Sequence, residues 1–217
     1  MTDIHALIGT LVADAAPVRR LHHPMLRWAG WFGVAVIVAA TLFWGHGLRD
    51  DLIECLGELH FVTGTLAAIA TGLTAGIGAL MAAMPDRSPR WLWLPVPAAT
   101  VWVAGTTGGC LLNWVETDFS VVTPDVLLEC LGLLIATAVP LLVAQVLLLG
   151  PISRVAPRGT LAVFCLATAG MAAGLHNLTH SFETSAMVLI WSVGAGTLVF
   201  LLDWIAARSA ARLYPAR

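Results

Sequence analysis

Apolar residues fall into six long segments along this chain, and short polar or proline-containing segments separate them. Each segment is close to the about 20 residues with which an α-helix crosses about 30 Å of hydrocarbon. The pattern therefore predicts an all-α integral membrane protein with six transmembrane helices. The predicted spans cover roughly residues 28–46, 61–83, 91–113, 126–149, 160–177 and 185–205.

Glycine and proline distinguish some of these spans from the others. Glycines lie four residues apart at Gly72 and Gly76 in the second span and at Gly170 and Gly174 in the fifth. Small residues at this spacing let helix backbones approach closely, so we expect these two spans inside the bundle. Prolines early in the third span and midway along the fourth predict kinks; they are Pro95, Pro97 and Pro140.

The composition supports a membrane protein and argues against direct nucleic-acid binding. Hydrophobic residues make up 59% of the chain and charged residues 11%, whereas charged residues are about 25% of a typical soluble domain. The 11 basic residues are all arginine and stand against 13 acidic residues, so no basic stripe is present to neutralise phosphates. The expected contacts are therefore with the lipid bilayer and with protein.

Arginine placement predicts the orientation of the spans. Ten of the 11 arginines flank the spans on one side, and Arg49 alone lies on the other, among acidic residues. Because cytoplasmic loops collect arginine, both termini are expected in the cytoplasm. Residues 27–206 then form the six-helix transmembrane domain, and residues 207–217 form a cytoplasmic tail.

Residues 1–26 form a separate cytoplasmic segment ahead of the first span. Its apolar residues recur at the i, i+3, i+4, i+7 spacing of one helix face. A helix this short cannot bury that face alone, so it either lies on the bilayer or docks on a partner. We favour a protein partner, because the polar face lacks the cationic residues that anionic lipids attract. The apolar face comprises Ile4, Leu7, Ile8, Leu11 and Val12.

Soft and ionisable side chains gather at the outer ends of the spans. Thiolate and imidazole suit thiophilic metals, and an exposed thiol is where oxidants act first, so an outward metal or redox sensor is one interpretation. The alternative is that polar residues simply occupy loops and that a cysteine at a helix end packs as a small hydrophobe. Cys130 is the favoured sensing residue, since it lies one turn inside the fourth span beside Glu129. The group comprises Cys55, Cys110, Cys130, His46, His60, His176 and His180.

The layout resembles the NrsF family of bacterial membrane anti-sigma factors. The resemblance rests on the N-terminal pattern Thr2-Asp3-x-x-Ala6-Leu7-Ile8-x-x-Leu11-x-Ala13-Asp14-x-x-Pro17-Val18-Arg19, on six spans, on Cys130 at the start of the fourth span, and on Leu175-His176 at the outer end of the fifth. It implies a protein of the bacterial inner membrane that holds an extracytoplasmic-function sigma factor and releases it on stress. It also implies that cysteines near the outer face take part in sensing.

One position departs from the family pattern. Cys130 matches the first of the family's two characteristic cysteines, whereas the second, after the histidine, is replaced here by Asn177. Either Cys110 substitutes as the disulfide partner of Cys130, or His176 and His180 hold a thiophilic metal with Cys130, or sensing is altered. No cofactor is required by any of these readings, and a metal ion would act as the signal.

Two other classes of protein remain as alternatives. A small membrane transporter needs a polar path through the bundle, and the second, third and fifth spans offer almost only threonine, serine and glycine. A metal- or redox-active membrane protein needs a cofactor or paired thiols. A liposome flux assay tests the first and an optical spectrum tests the second. On the family resemblance, we expect no enzymatic activity.

Overall fold

A computed structural model of the chain describes residues 23–84, 86–112, 124–149 and 158–179, together with the single residues 9, 13 and 201. The regular structure within these residues is entirely helical. Two of the elements are short: a one-turn helix, α2, and a 3₁₀ helix between α3 and α4. The helices are α1 (Pro24–Gly45), α2 (Leu52–Cys55), α3 (Leu59–Ala82), the 3₁₀ helix (Pro89–Trp93), α4 (Val96–Leu112), α5 (Pro124–Leu149) and α6 (Arg158–Thr179).

Four helices within the described residues are long and apolar enough to cross a membrane. They are Pro24–Gly45, Leu59–Ala82, Leu131–Leu148 and Gly159–Thr179, and they correspond to the first, second, fourth and fifth predicted spans. The sixth predicted span, 185–205, lies outside the described residues except for residue 201. The fold is therefore confirmed as helical with membrane-length helices, and the number six stays a prediction.

The third predicted span differs from the structure at its start. The sequence predicts a span from about residue 91 that is kinked at its early prolines, whereas the 3₁₀ helix ends at Trp93 and α4 begins only at Val96. Pro95 and Pro97 have no backbone N–H to donate. The first residues of a helix have no intrahelical acceptor for their N–H groups, so prolines are tolerated at the start of α4 without loss of a hydrogen bond. The 17 residues of α4 then span about 26 Å.

Helices α3 and α6 pack with their backbones in contact. A Cβ atom added at Gly72 would lie 2.9 Å from the backbone N of Met171, and one added at Gly170 would lie 2.7 Å from the carbonyl O of Ala68. Only glycine fits at such distances, and close backbone approach is how membrane helices gain packing contacts without a hydrophobic driving force. The prediction that the second and fifth spans lie inside the bundle is confirmed.

Helices α1 and α5 cover this central pair with larger side chains. Trp31, Val38 and Leu42 of α1 share one buried cluster with Leu141 of α5 and Met171 of α6. The outward faces of both helices are apolar and exposed, as expected for a surface that meets lipid. Pro140 lies inside α5, which continues through it to Leu149.

The bundle has two distinct ends. Four described arginines mark one end, where α1, α4 and α6 begin and α3 and α5 finish; they are Arg27, Arg87, Arg90 and Arg158. We call it the arginine-rich end and the other the opposite end. The alternating directions are fixed by contacts between helices, such as the Gln145 amide donating to the carbonyl of Phe164.

Candidate functional site

The residues predicted to sense a signal lie on helix segments at the opposite end. Cys110 is in the last turn of α4, Cys130 in the second turn of α5 and His176 in the last turn of α6. The topology therefore brings their backbones to one end of the bundle. The side chains of Cys110 and Cys130 and the whole of His180 lie outside the described residues.

His176 itself is buried, with 1% of its surface exposed. It therefore belongs to the packed interior of the helix end and not to a surface loop. Among the described residues, no three histidine, cysteine, aspartate or glutamate side chains are grouped to hold a metal ion. The metal set of Cys130, His176 and His180 stays a prediction, because two of its three side chains fall outside those residues.

Asn177, where the resemblance to the NrsF family leads us to expect cysteine, makes a structural contact. Its Nδ2 donates to Oγ1 of Thr65 at 3.2 Å, which ties the end of α6 to α3. The next polar residue, Thr179, donates back to the carbonyl oxygens of Leu175 and His176. Asn177 therefore contributes a hydrogen bond between helices.

A second polar cluster lies at this end; the sequence named Cys55 as a candidate and noted Arg49 among acidic residues, but it did not predict their contacts. In the loop after α1, the Nε and Nη2 atoms of Arg49 donate to the two carboxylate oxygens of Asp51 at 2.6 and 2.5 Å. The guanidinium carbon lies 5.2 Å from the centre of the Phe61 ring in α3, within cation–π range. The backbone N–H of Arg49 donates to the carbonyl of Leu178 in α6 at 3.2 Å.

These contacts fasten the loop to two helices. The Arg49 side chain is 9% exposed and that of Asp51 is 41% exposed, so the pair is buried on the arginine side and open to solvent on the carboxylate side. We call Arg49, Asp51, Cys55 and Phe61 the Arg49 latch. It holds the α1–α3 connection against the end of α6. The residue contacted there, Leu178, follows His176 by two positions.

The electrostatics of the Arg49 latch keep Asp51 charged and Cys55 neutral. The hydrogen bond from Arg49 lowers the pKa of Asp51 to about 2, and the same bond raises the pKa of Arg49. The Cys55 thiol donates to Oδ2 of Asp51 at 3.5 Å. Burial is the largest cause that raises the pKa of Cys55, and the charge of Asp51 adds to it. A thiol held protonated is a poor nucleophile, so Cys55 is not an activated cysteine.

Two sequence signals pointed to this cluster in retrospect. Arg49 is the one arginine on its side of the membrane, and Asp51 and Cys55 are four residues apart, the spacing of neighbours on a helix face. The sequence could not show that the loop returns to Leu178. That contact joins residues far apart in the chain.

The predicted docking face lies almost wholly outside the described residues. These include Gly9 and Ala13, which are both helical and exposed. Ile4, Leu7, Ile8, Leu11 and Val12 are not among them. Their role as a partner-binding face stays a prediction.

Comparison with known proteins gives one match. No curated protein and no solved structure matches the chain. The model of the family NrsF, negative regulator of sigma F, matches residues 11–212. The match therefore covers nearly all of the chain, including every described helix, and it begins after Ile4, Leu7 and Ile8. On this evidence, the chain belongs to the NrsF family of negative regulators of sigma F.

Proposed function

We propose that this chain is an inner-membrane anti-sigma factor that sequesters an extracytoplasmic-function sigma factor through its N-terminal segment. It releases that factor when metal or oxidative stress acts near the periplasmic face. The family match over residues 11–212 carries the proposal, because negative regulation of a sigma factor implies a sigma-factor partner. The membrane-length helices supply the anchor that keeps such a partner away from promoters.

The arginine-rich end is assigned to the cytoplasm. Four of the five described arginines lie there, and the fifth, Arg49, is neutralised by Asp51 at the opposite end. Clusters of arginine favour the cytoplasmic side of a membrane. Reporter fusions after Arg217 and within residues 85–90 should therefore read cytoplasmic, and a fusion near Thr117 should read periplasmic. A periplasmic C-terminus would overturn the assignment and place the sensing end in the cytoplasm.

The docking surface is the face formed by Ile4, Leu7, Ile8, Leu11 and Val12. Loss of one buried leucine anchor at an interface costs about 2 kcal/mol or more. Leu7→Asp combined with Leu11→Asp should therefore release the sigma factor and switch its target genes on without stress. The measurement is co-purification of the sigma factor with the membrane-embedded protein, together with transcription of a target promoter.

A matched control uses the other face of the same helix. Gly9 and Ala13 are helical and exposed, so Gly9→Asp with Ala13→Asp adds the same two charges away from the apolar face. This control should retain the sigma factor. Equal retention by both double variants would contradict docking through the apolar face.

Sensing is assigned to the opposite end, with Cys130 as its main residue. The helix ends that carry Cys110, Cys130 and His176 all lie at that end, and α5 packs on α6. The expected sensing element is either a Cys110–Cys130 disulfide or a metal held by Cys130, His176 and His180. A disulfide requires a Cα separation of about 4.4 to 6.8 Å, whereas a thiophilic metal accepts thiolate and imidazole together. Pro140, which removes one backbone hydrogen bond midway along α5, offers a place where movement of the outer half alters the inner half.

The two sensing chemistries are separated by substitution. Cys130→Ser should abolish induction by either signal and leave sigma-factor binding intact. Cys110→Ser should abolish only the oxidant response, and His180→Ala only the metal response. Cys165→Ser is the matched control, because Cys165 is buried within α6 among core residues. Normal release by Cys130→Ser under both challenges would show that the signal enters elsewhere.

A further inference from the structure

The buried face of α1 ends in a positive charge. Its buried residues follow one helix face from Leu42 back through Val38, Ala35 and Trp31 to Arg27. Arg27 is 9% exposed. Within the described parts of the chain, no carboxylate pairs with it. Removing an arginine from water without an anion costs several kcal/mol, so an anionic partner is expected at this place.

Two further buried polar groups lie at the same end on α5 and α6. Gln145 is 3% exposed and Thr160 is 1% exposed. The Nε2 of Gln145 donates to the carbonyl of Phe164 at 3.0 Å, while its Oε1 has no hydrogen-bond partner among the described residues. The hydroxyl of Thr160 likewise has none there. A buried polar atom without a hydrogen bond destabilises a protein by about 1–3 kcal/mol, and a ligand that forms the bond removes this cost.

These groups lie at similar depth on helices that touch. At 1.5 Å per residue, Arg27, Gln145 and Thr160 are within about 6 Å of the ends of their helices. Trp28, next to Arg27, packs on a cluster that contains Phe164, and Phe164 is the residue that Gln145 binds. Thr160 precedes Phe164 by one helical turn. Phe164 therefore links the surroundings of all three groups.

The chemistry of this end selects an anion that also carries a hydroxyl. Arg27 supplies donors and a positive charge, and the indole N–H of Trp31 is a further buried donor without a partner in the described region. Gln145 Oε1 is an acceptor and therefore requires a donor from the ligand. Basic pockets between transmembrane helices on the cytoplasmic side are sites for phospholipid headgroups.

We propose that Arg27, Gln145 and Thr160 form a binding site for the headgroup of an anionic phospholipid with a hydroxylated head, such as phosphatidylglycerol. The lipid phosphate meets the guanidinium of Arg27 and the hydroxyl of Thr160, and a headgroup hydroxyl donates to Oε1 of Gln145. The lipid thereby closes the junction of α1, α5 and α6 at the arginine-rich end. No covalent step is involved.

The test measures thermal unfolding of the full chain in detergent by tryptophan fluorescence, during titration with defined lipids. Phosphatidylglycerol should raise the melting temperature in a saturable way, and phosphatidylcholine should not. Arg27→Gln should weaken phosphatidylglycerol binding at least tenfold, the loss expected for one charge-assisted contact. Arg90→Gln, which removes an exposed arginine from the same end, should change the affinity less than twofold.

Gln145→Leu provides a second readout that does not depend on Arg27. It should bind phosphatidic acid as the unaltered chain does, but lose the preference for phosphatidylglycerol over phosphatidic acid. Equal stabilisation by phosphatidylcholine, or equal affinity of Arg27→Gln and the unaltered chain, would overturn the site. Saturable stabilisation by inorganic phosphate alone would assign it to a free anion and overturn the lipid.

One further outcome is an acidic partner within the chain. Asp203, the acidic residue of the predicted sixth span, would be that partner if Asp203→Asn and Arg27→Gln lowered the stability in lipid-free detergent equally and the double variant added nothing. Such strong coupling in a double-mutant cycle would overturn the proposal. Additive effects, with lipid binding intact in Asp203→Asn, would support it.

Discussion

Two arginines of this bundle have largely buried side chains but are held in different ways. The side chain of Arg49 at the opposite end is 9% exposed, and Arg27 at the arginine-rich end is 9% exposed as a whole residue. Arg49 donates twice to Asp51, stacks on Phe61 and reaches α6 through its backbone. For Arg27, the described residues contain no acidic partner.

The difference shows that burial alone does not define the role of an intramembrane or interfacial charge. The partners of Arg49 all lie within the fold, so its removal should lower the stability of the protein with or without lipid. Arg27 depends on what surrounds the protein, so its removal should matter chiefly when an anionic lipid is present.

The largest effect is expected where the two ends are connected, at the α3–α6 contact. A leucine at position 170 would push against the backbone of Ala68 and Gly72 and separate the helices that position both ends. Gly170→Leu should destabilise the bundle by about 3 kcal/mol or more and lower the melting temperature by about 6 °C or more. Gly132→Leu is the control, because a Cβ at Gly132 meets no atom within 4 Å.

The next effect concerns the Arg49 latch. Arg49→Met leaves the Asp51 carboxylate without its partner, and the loss of hydrogen bonds to a charged group costs about 1.5 kcal/mol when the group is partly in solvent. Arg27→Met, compared in lipid-free detergent, should cost less or even stabilise the protein, because it removes a buried cation without a described partner. If chemical unfolding gave the same loss of unfolding free energy for Arg49→Met and Arg27→Met, both arginines would have equally effective partners within the protein.

The sequence predicted the helices better than it predicted these charges. Four of the six spans are confirmed as membrane-length helices, because hydropathy and length depend only on local composition. The glycine spacing also identified the inner pair, since small residues are the local signal of close approach. Hydropathy and glycine spacing can each be read from a single segment of the sequence.

Local sequence patterns did not predict the contacts between distant segments. Arg27 was placed ahead of the first span, whereas α1 begins at Pro24. Proline is favoured at the first helical position, and the His23 side chain accepts from the backbone of Met25 there. The spacing of Arg27 and Trp31 on one helix face follows from the sequence. That no described carboxylate lies beside Arg27 depends on how α3, α5 and α6 pack. The Arg49 latch likewise requires the end of α6.

Acid should weaken the Arg49 latch. The pKa of Asp51 is lowered from 3.8 to about 2 by Arg49. A carboxyl with a depressed folded-state pKa stabilises the fold fully above the unfolded value and loses that contribution as pH falls through the folded value. Between about pH 4 and pH 2, the unaltered chain should therefore lose about 1 kcal/mol more than Asp51→Asn does, after allowance for solvent screening. Parallel pH profiles of the two proteins would contradict this.

The smallest effect concerns the reactivity of Cys55. Burial raises the pKa of its thiol, and the charge and hydrogen bond of Asp51 raise it further, while Arg49 opposes them. In a variant that keeps Cys55 and replaces the other three cysteines by serine, Asp51→Asn should raise the thiolate fraction and speed alkylation by iodoacetamide at pH 8 about threefold. Asp50→Asn is the control, since the Cys55 thiol bonds to Asp51 and Asp50 is its chain neighbour. If Asp51→Asn left the alkylation rate unchanged, the carboxylate would not govern the thiol. The Arg49 latch would then act only through its contacts with α3 and α6.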